Sequence, residues 1–154
     1  MLPAKDQSVL VLGVGGAARS AIDVLRGCRL TVANRSLRKA EEACRALGVT
    51  ATVLDRASVT GSFDLIVNAT TLGLCGENCL PEGVTLTAQT NCFDMIYAPQ
   101  KTAFLAQAER AGARTQNGAK MLVLQAILAR EIWEDRVFPP DEIKLILEKA
   151  LCEF

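Results

Sequence analysis

The segment with the clearest chemical capacity is Gly13-Val14-Gly15-Gly16-Ala17-Ala18-Arg19, which follows the apolar run Val9-Leu10-Val11-Leu12. A glycine-rich turn between a strand and a helix presents backbone N–H groups and the positive end of the helix dipole. That arrangement suits an anion, above all the pyrophosphate of a dinucleotide. Gly13 allows a tight turn, and Gly15 lets the backbone approach the phosphates. Ala18 stands where a third small residue permits close packing of helix on strand. Small-residue turns are common, so the strand before this one and the helix after it carry much of the signal.

A second group lies where such folds choose their cofactor. About twenty positions after the first glycine, an acidic residue holds the ribose 2′-OH of NAD, whereas arginine suits the 2′-phosphate of NADP. Here that position is Asn34, followed by Arg35, Ser36, Leu37, Arg38 and Lys39. Arg35 can give charge-assisted hydrogen bonds to a phosphate and stack on adenine. Ser36 can donate its hydroxyl, and Arg38 or Lys39 adds charge. Ser36 equally suits the N-cap of a following helix. The two roles are compatible, since a capped helix start is itself an anion site. These residues favour NADP over NAD.

Strand and helix patterns alternate around these groups. Strands are expected at 9–12, 30–33, 49–54, 63–68, 91–94 and 113–116. Helices are expected at 16–26, 37–47, 102–111, 121–133 and 140–151, with Gly27, Gly48 and Gly112 closing the first three. Residues 55–59 suit a short helical turn, and 73–87 a loop with room for a short edge segment. Alternating βα units imply an α/β fold with a doubly wound, mostly parallel, Rossmann-like sheet. Its ligand is expected over the carboxyl ends of the strands. The 154 residues suit a single domain.

Composition narrows the function classes. Lys and Arg number 17 and so do Asp and Glu, which gives no electrostatic case for nucleic acid or an anionic membrane. No apolar run is long enough to span a bilayer. The segment Met1-Leu2-Pro3-Ala4-Lys5-Asp6-Gln7 lacks the apolar centre of a signal peptide. The chain has no His, which removes the commonest general acid–base group. Of its six cysteines only Cys75 and Cys79 lie close together, so no metal site is expected. Cys28, Cys44 and Cys92 sit in or beside apolar segments and suit free thiols that pack as small hydrophobes. Reduced thiols point to a cytoplasmic protein.

Gly13 to Arg19 followed by Asn34-Arg35-Ser36 resembles the NADP-binding lobe of shikimate dehydrogenases, which carry Gly-x-Gly-Gly-Ala-Ala/Ser-Arg and then Asn-Arg-Thr. Asn68-Ala69-Thr70-Thr71-Leu72-Gly73 resembles their Asn-Ala-Thr-x-x-Gly loop. Asp94-Met95-Ile96-Tyr97-Ala98-Pro99-Gln100-Lys101-Thr102 resembles their Asp-Met-x-Tyr-x-Pro-x-x-Thr segment. Gly118-Ala119-Lys120-Met121-Leu122-Val123-Leu124-Gln125 resembles their Gly-x-x-Met-Leu-Val-x-Gln helix start. Together these segments span nearly the whole chain.

The resemblance implies an oxidoreductase of aromatic amino acid biosynthesis that moves hydride between NADPH and 3-dehydroshikimate, giving shikimate. It implies that Gly13, Gly15, Gly16, Ala17 and Ala18 cradle the pyrophosphate. Asn34, Arg35 and Ser36, with Lys39, would hold the 2′-phosphate. Thr70 would lie beside the dinucleotide, Met95 and Gly118 would flank the nicotinamide, and Tyr97 and Gln125 would face the shikimate ring. As residues alone, Met95 also suits strand-end core, Tyr97 loop packing before Pro99, and Gly118 a helix-start turn. Met121 suits packing beneath the cofactor. Gln125 lies in an otherwise apolar helix and, if buried, needs a partner. A substrate hydroxyl or a backbone carbonyl would serve.

In the family a preceding lobe binds most of the substrate and carries the Lys and Asp that act on the reacting hydroxyl. This chain is expected to lack that lobe, so no residue is assigned a catalytic role and the chain alone is expected to be inactive. Two readings stay open: a fragment or domain of a shikimate dehydrogenase, or a stand-alone NADP-binding or regulatory module. A quinate/shikimate dehydrogenase using NAD would prefer an acidic residue near Asn34. The helix from 121 is apolar nearly all round until Arg130, as in a helix buried on several sides. Without a covering lobe it would expose an apolar patch, and such patches mark interfaces. Self-association is therefore expected, or an unusual packing of the last helix, whose own stripe is Ile143, Ile146, Leu147, Ala150 and Leu151.

Overall fold

In a computed structural model residues 5–152 are described. Residues 1–4, on which the leader reading partly rests, lie outside them. In chain order the elements are β1 (Ser8–Leu12), α1 (Gly16–Val24), β2 (Arg29–Ala33), α2 (Leu37–Leu47), β3 (Thr52–Leu54), a 3-10 turn (Arg56–Ser58), β4 (Thr60–Ser62), β5 (Leu65–Asn68), β6 (Gly83–Thr85), β7 (Asn91–Asp94), α3 (Ala103–Arg110), β8 (Arg114–Gln116), α4 (Ala119–Glu134) and α5 (Pro140–Leu151).

β1 is fully buried from Val9 to Leu12, so it needs cover on both faces and a central place. It has both. Six strands pair in parallel in the order β3-β2-β1-β5-β7-β8. Leu10, Leu12, Ile66 and Cys92 face α3 through Phe104, Leu105 and Ala108. Val9, Val11, Val32 and Val67 face α1 and α2 through Ala18, Ile22, Ala40 and Cys44. This two-residue alternation is what a strand buried on both sides requires. The chain leaves β1 in one direction toward β2 and later takes up β5 on the other side. That reversal opens a crevice at the carboxyl ends of β1 and β5.

Several bounds differ from expectation. The strand expected at 49–54 begins only at Thr52. Gly48 ends α2 in the left-handed region (φ 61°), and the Val49 N–H turns back to the Cys44 carbonyl. The strand expected at 63–68 starts at Leu65. Thr60–Ser62 instead pairs in parallel with Gly83–Thr85 as a separate two-stranded sheet, so the short segment suspected within 73–87 does not join the main sheet. α1 ends at Val24, before Gly27.

α4 is not buried on several sides as its composition suggests. α5 packs Ile143, Ile146, Leu147 and Ala150 against Val123, Ile127 and Phe138, which covers one stripe. Leu128, Ile132 and Trp133 stay exposed, the last two at 80%. Among the described residues no helix is long and apolar enough to cross a membrane.

The strand entry is held by an acid. Asp64 Oδ2 accepts from the Ser8 N–H at 2.7 Å and from the Ser8 hydroxyl at 2.9 Å. These bonds, the backbone one first, hold its carboxyl below the ordinary carboxylate value, with Arg29 adding a weaker pull. A lowered folded value means the contribution is present above the unfolded value, about 3.9, and is lost as pH falls through the folded one. Asp64→Asn should therefore flatten the acid limb of melting temperature against pH. An acid limb identical to the parent's would remove Asp64 from that role.

Candidate functional site

The glycine turn is shaped by contact on one side and by space on the other. Gly13 lies in the left-handed region (φ 98°) and donates its N–H to the Ala33 carbonyl at 2.8 Å. A Cβ there would stand 2.9 Å from the Ala69 carbonyl oxygen and 3.1 Å from Thr70 Cγ2, so the turn lies against the loop after β5. Gly15 and Gly16 meet nothing within 4 Å in the same test. Gly15 is the N-cap of α1, and no side chain caps it. The first N–H groups of a helix lack intrahelical partners, and here Gly15, Gly16 and Ala17 are exposed. Ala18 is buried against the sheet.

At the end of β2, Asn34 donates its side-chain amide to the Ser36 carbonyl at 2.9 Å. The Ser36 hydroxyl accepts from the Lys39 N–H at 3.4 Å, the N-cap role its sequence position suggested. Arg38 lies 3.6 Å from Glu42 on the same helix. Arg35 is exposed and makes no hydrogen bond or ion pair among the described residues, and neither does the Lys39 ammonium. The two uncommitted cations thus flank a capped helix start next to the open turn.

Beneath the carboxyl ends of β5 and β7 runs a buried polar network of which sequence reasoning gave a role to Thr70 alone. Asn68 and Asp94 are both fully buried and each closes an apolar strand. Asn68 Nδ2 donates to Asp94 Oδ1 at 2.9 Å and to the Leu72 carbonyl at 3.0 Å. Asn68 Oδ1 accepts from the Thr70 N–H and, at 2.7 Å, from the Thr70 hydroxyl. Asp94 Oδ1 also accepts from the Ile96 N–H at 3.0 Å, and Oδ2 from the Thr102 hydroxyl at 2.6 Å. Thr102 in turn caps α3. The Thr70 hydroxyl is therefore committed within the chain. Two sequence signals were available for this network: a polar residue ending an apolar strand, and the fixed Asn, Thr and Asp positions of the two segments that resemble the family's.

The other expected residues gather at the end of β7 and the start of α4. The Gly118 N–H bonds the Ile96 carbonyl at 3.0 Å, and the Met95 backbone leaves no room for a Cβ on Gly118. A cavity of about 910 Å³ lies between α1 and α4 over β5, β7 and β8. Val24, Val67, Phe93, Met95, Tyr97 and Gln125 line it, and so does Met121. Gln125 is exposed on that wall, so the condition of a buried amide that needs an internal partner does not arise. The buried cysteines Cys79 and Cys92 offer no rival chemistry. Burial raises the thiols of Cys79 and Cys92, the latter to about 12, which leaves them protonated at neutral pH.

No family model matches the chain. A relative from Ignicoccus hospitalis named shikimate dehydrogenase (NADP(+)) is 38% identical over 130 residues, which cover 84% of this chain and 50% of the relative. A protein of the same name from Geobacter metallireducens is 41% identical over 86% of this chain and 51% of its own length. Among solved structures, shikimate 5-dehydrogenase of Thermus thermophilus in complex with NADP(H) and shikimate is similar with a TM-score of 0.75 and 31% identity. That match covers 96% of this chain and 56% of the other. Ligand-free 5-ketofructose reductase of a Gluconobacter species is also similar, with a TM-score of 0.70, 31% identity, and 97% and 58% covered. The chain spans about half the length of the curated relatives it matches. Over that span, by sequence identity and by a sheet that superposes on theirs, the chain belongs to the shikimate dehydrogenase family.

Proposed function

We propose that residues 1–154 form an NADP(H)-binding domain that serves the reduction of 3-dehydroshikimate to shikimate together with a substrate lobe of the kind that completes the longer relatives. The observation that carries the cofactor is Arg35, uncommitted at the end of β2 beside the open, uncapped glycine turn. Gly13, Gly15, Gly16, Ala17 and Ala18 hold the pyrophosphate on the N–H groups of α1. Arg35 and Lys39 pair with the 2′-phosphate, with Asn34 and Ser36 fixing the start of α2. Thr70 shapes the wall beside the dinucleotide. Met95 and Gly118 set the depth of the nicotinamide, whose chemistry when bound is hydride transfer.

Tyr97 and Gln125 offer a hydroxyl and an amide from the cavity wall to a hydroxylated ring. The acid–base pair for the reacting hydroxyl is assigned to the substrate lobe, because no Asp, Glu or Lys lines this cavity among the described residues. Asn rather than an acidic residue at position 34, with Arg35 and Ser36 after it, disfavours an NAD-dependent quinate/shikimate enzyme. Titrating the chain with NADPH should give saturable enhancement of nicotinamide fluorescence. A flat titration would overturn the cofactor reading.

The exposed face of α4 is the surface on which we place that lobe or, without it, a second copy of the chain. The isolated chain should sediment as a dimer or larger, and Trp133→Glu should return it toward monomer with an unchanged circular dichroism spectrum. A monodisperse parent monomer would remove self-association.

A further inference from the structure

We propose that Asp94 is a positioning residue that sets the nicotinamide end of the site, an assignment that rests on the NADP reading above. Its carboxylate is the point at which three connections at the carboxyl edge of the sheet meet. Through Oδ1 it fixes the Ile96 N–H, and so the turn that carries Met95 and Tyr97. Through Asn68 it fixes the loop from Thr70 to Leu72. Through Oδ2 it fixes Thr102 and the start of α3.

The turn passes this constraint on. The Met95 N–H bonds the Asn68 carbonyl at 2.9 Å, and the Ile96 carbonyl accepts from Gly118, which begins α4. Gln125 therefore hangs on the same frame as Met95. All three contacts to Asp94 come from donors, and every donor of the Asn68 amide is used. Among the described residues no buried side-chain N or O lacks a partner. A fully satisfied network of this kind has one geometry, whereas an apolar contact in the same place would leave the turn free to shift. The adenosine end, at Arg35, touches none of these groups, since Asn34 and Ser36 are tied to β3 and α2 instead.

This separation gives the test. Binding of NADPH is compared with binding of adenosine 2′,5′-bisphosphate, which carries the phosphate that Arg35 would hold and stops short of the nicotinamide. Asp94→Asn should weaken NADPH about tenfold while leaving the bisphosphate within about twofold. Thr102→Val should move in the same direction, and Thr102→Ser, which keeps the hydroxyl, should match the parent. Equal losses for both ligands, or none, would overturn the positioning role, as would failure of both Asp94→Asn and Thr102→Val to fold. A parent chain that binds neither ligand would overturn the NADP reading and take this assignment with it, an outcome visible before any variant is made.

Discussion

Replacing Gly118 by alanine should lower stability by about 3 kcal/mol and the melting temperature by about 10 °C. An ideal Cβ on Gly118 stands 2.1 Å from the Met95 carbonyl oxygen and 2.6 Å from its carbonyl carbon. Both atoms are backbone, so no side-chain rotation relieves the clash. The glycine is not there for its conformational freedom, because its φ of −78° and ψ of −5° are open to any residue. It is there because α4 starts in contact with the turn after β7. An added methyl must push the helix start outward and stretch the Gly118–Ile96 hydrogen bond. Gly15→Ala is the matched control: its Cβ meets nothing within 4 Å, and its φ of −68° suits alanine. It should melt within about 1 °C of the parent. If Gly118→Ala does the same, the close approach is not what holds α4 in place.

Arg35→Ala should cost NADPH about thirtyfold in affinity, about 2 kcal/mol or the equivalent of one charge-assisted hydrogen bond, and leave NADH nearly unchanged. The two cofactors differ only in the 2′-phosphate, so the ratio of their losses isolates that group. Folding should not suffer, because Arg35 has no partner among the described residues to lose. Arg38→Ala should do much less, since Arg38 already leans toward Glu42. Fluorescence titration with both cofactors decides it. Equal weakening of NADPH and NADH would strip Arg35 of phosphate recognition.

Much of this fold was legible because its elements obey a single periodicity. α2, β7 and α5 occupy the residues expected of them, and Gly48 closes α2 as its sequence position suggests. The two-stranded β4–β6 sheet escaped because Thr60-Gly61-Ser62 has no apolar face to announce it. What buries this region is Val59 just before β4 and Val84 within β6, contacts between distant segments that local pattern cannot encode. The strand–turn–helix at Gly13 to Ala18 and the Ser36 cap were legible as local geometry because they lie in adjacent residues. The Asn68–Asp94–Thr102 network was not, because its meaning comes from strands 26 positions apart being paired. Gln125 shows the same limit in reverse. Its apolar neighbours suggested burial, and only the packing of α5 decides which side of α4 faces the open cavity.

The contrast between Gly118 and Gly15 bears on how sequences related to this one can drift. At position 118 every other amino acid brings a Cβ into a carbonyl group, so the fold itself forbids change whether or not any ligand is bound. At positions 15 and 16 the fold permits an alanine, and only an occupant of the turn would forbid it. A descendant that keeps glycine at 118 while positions 15 and 16 wander would be a protein that still folds but has given up its ligand. On the NADP reading the three glycines thus answer to two constraints, one of architecture and one of use, and the two can be read separately.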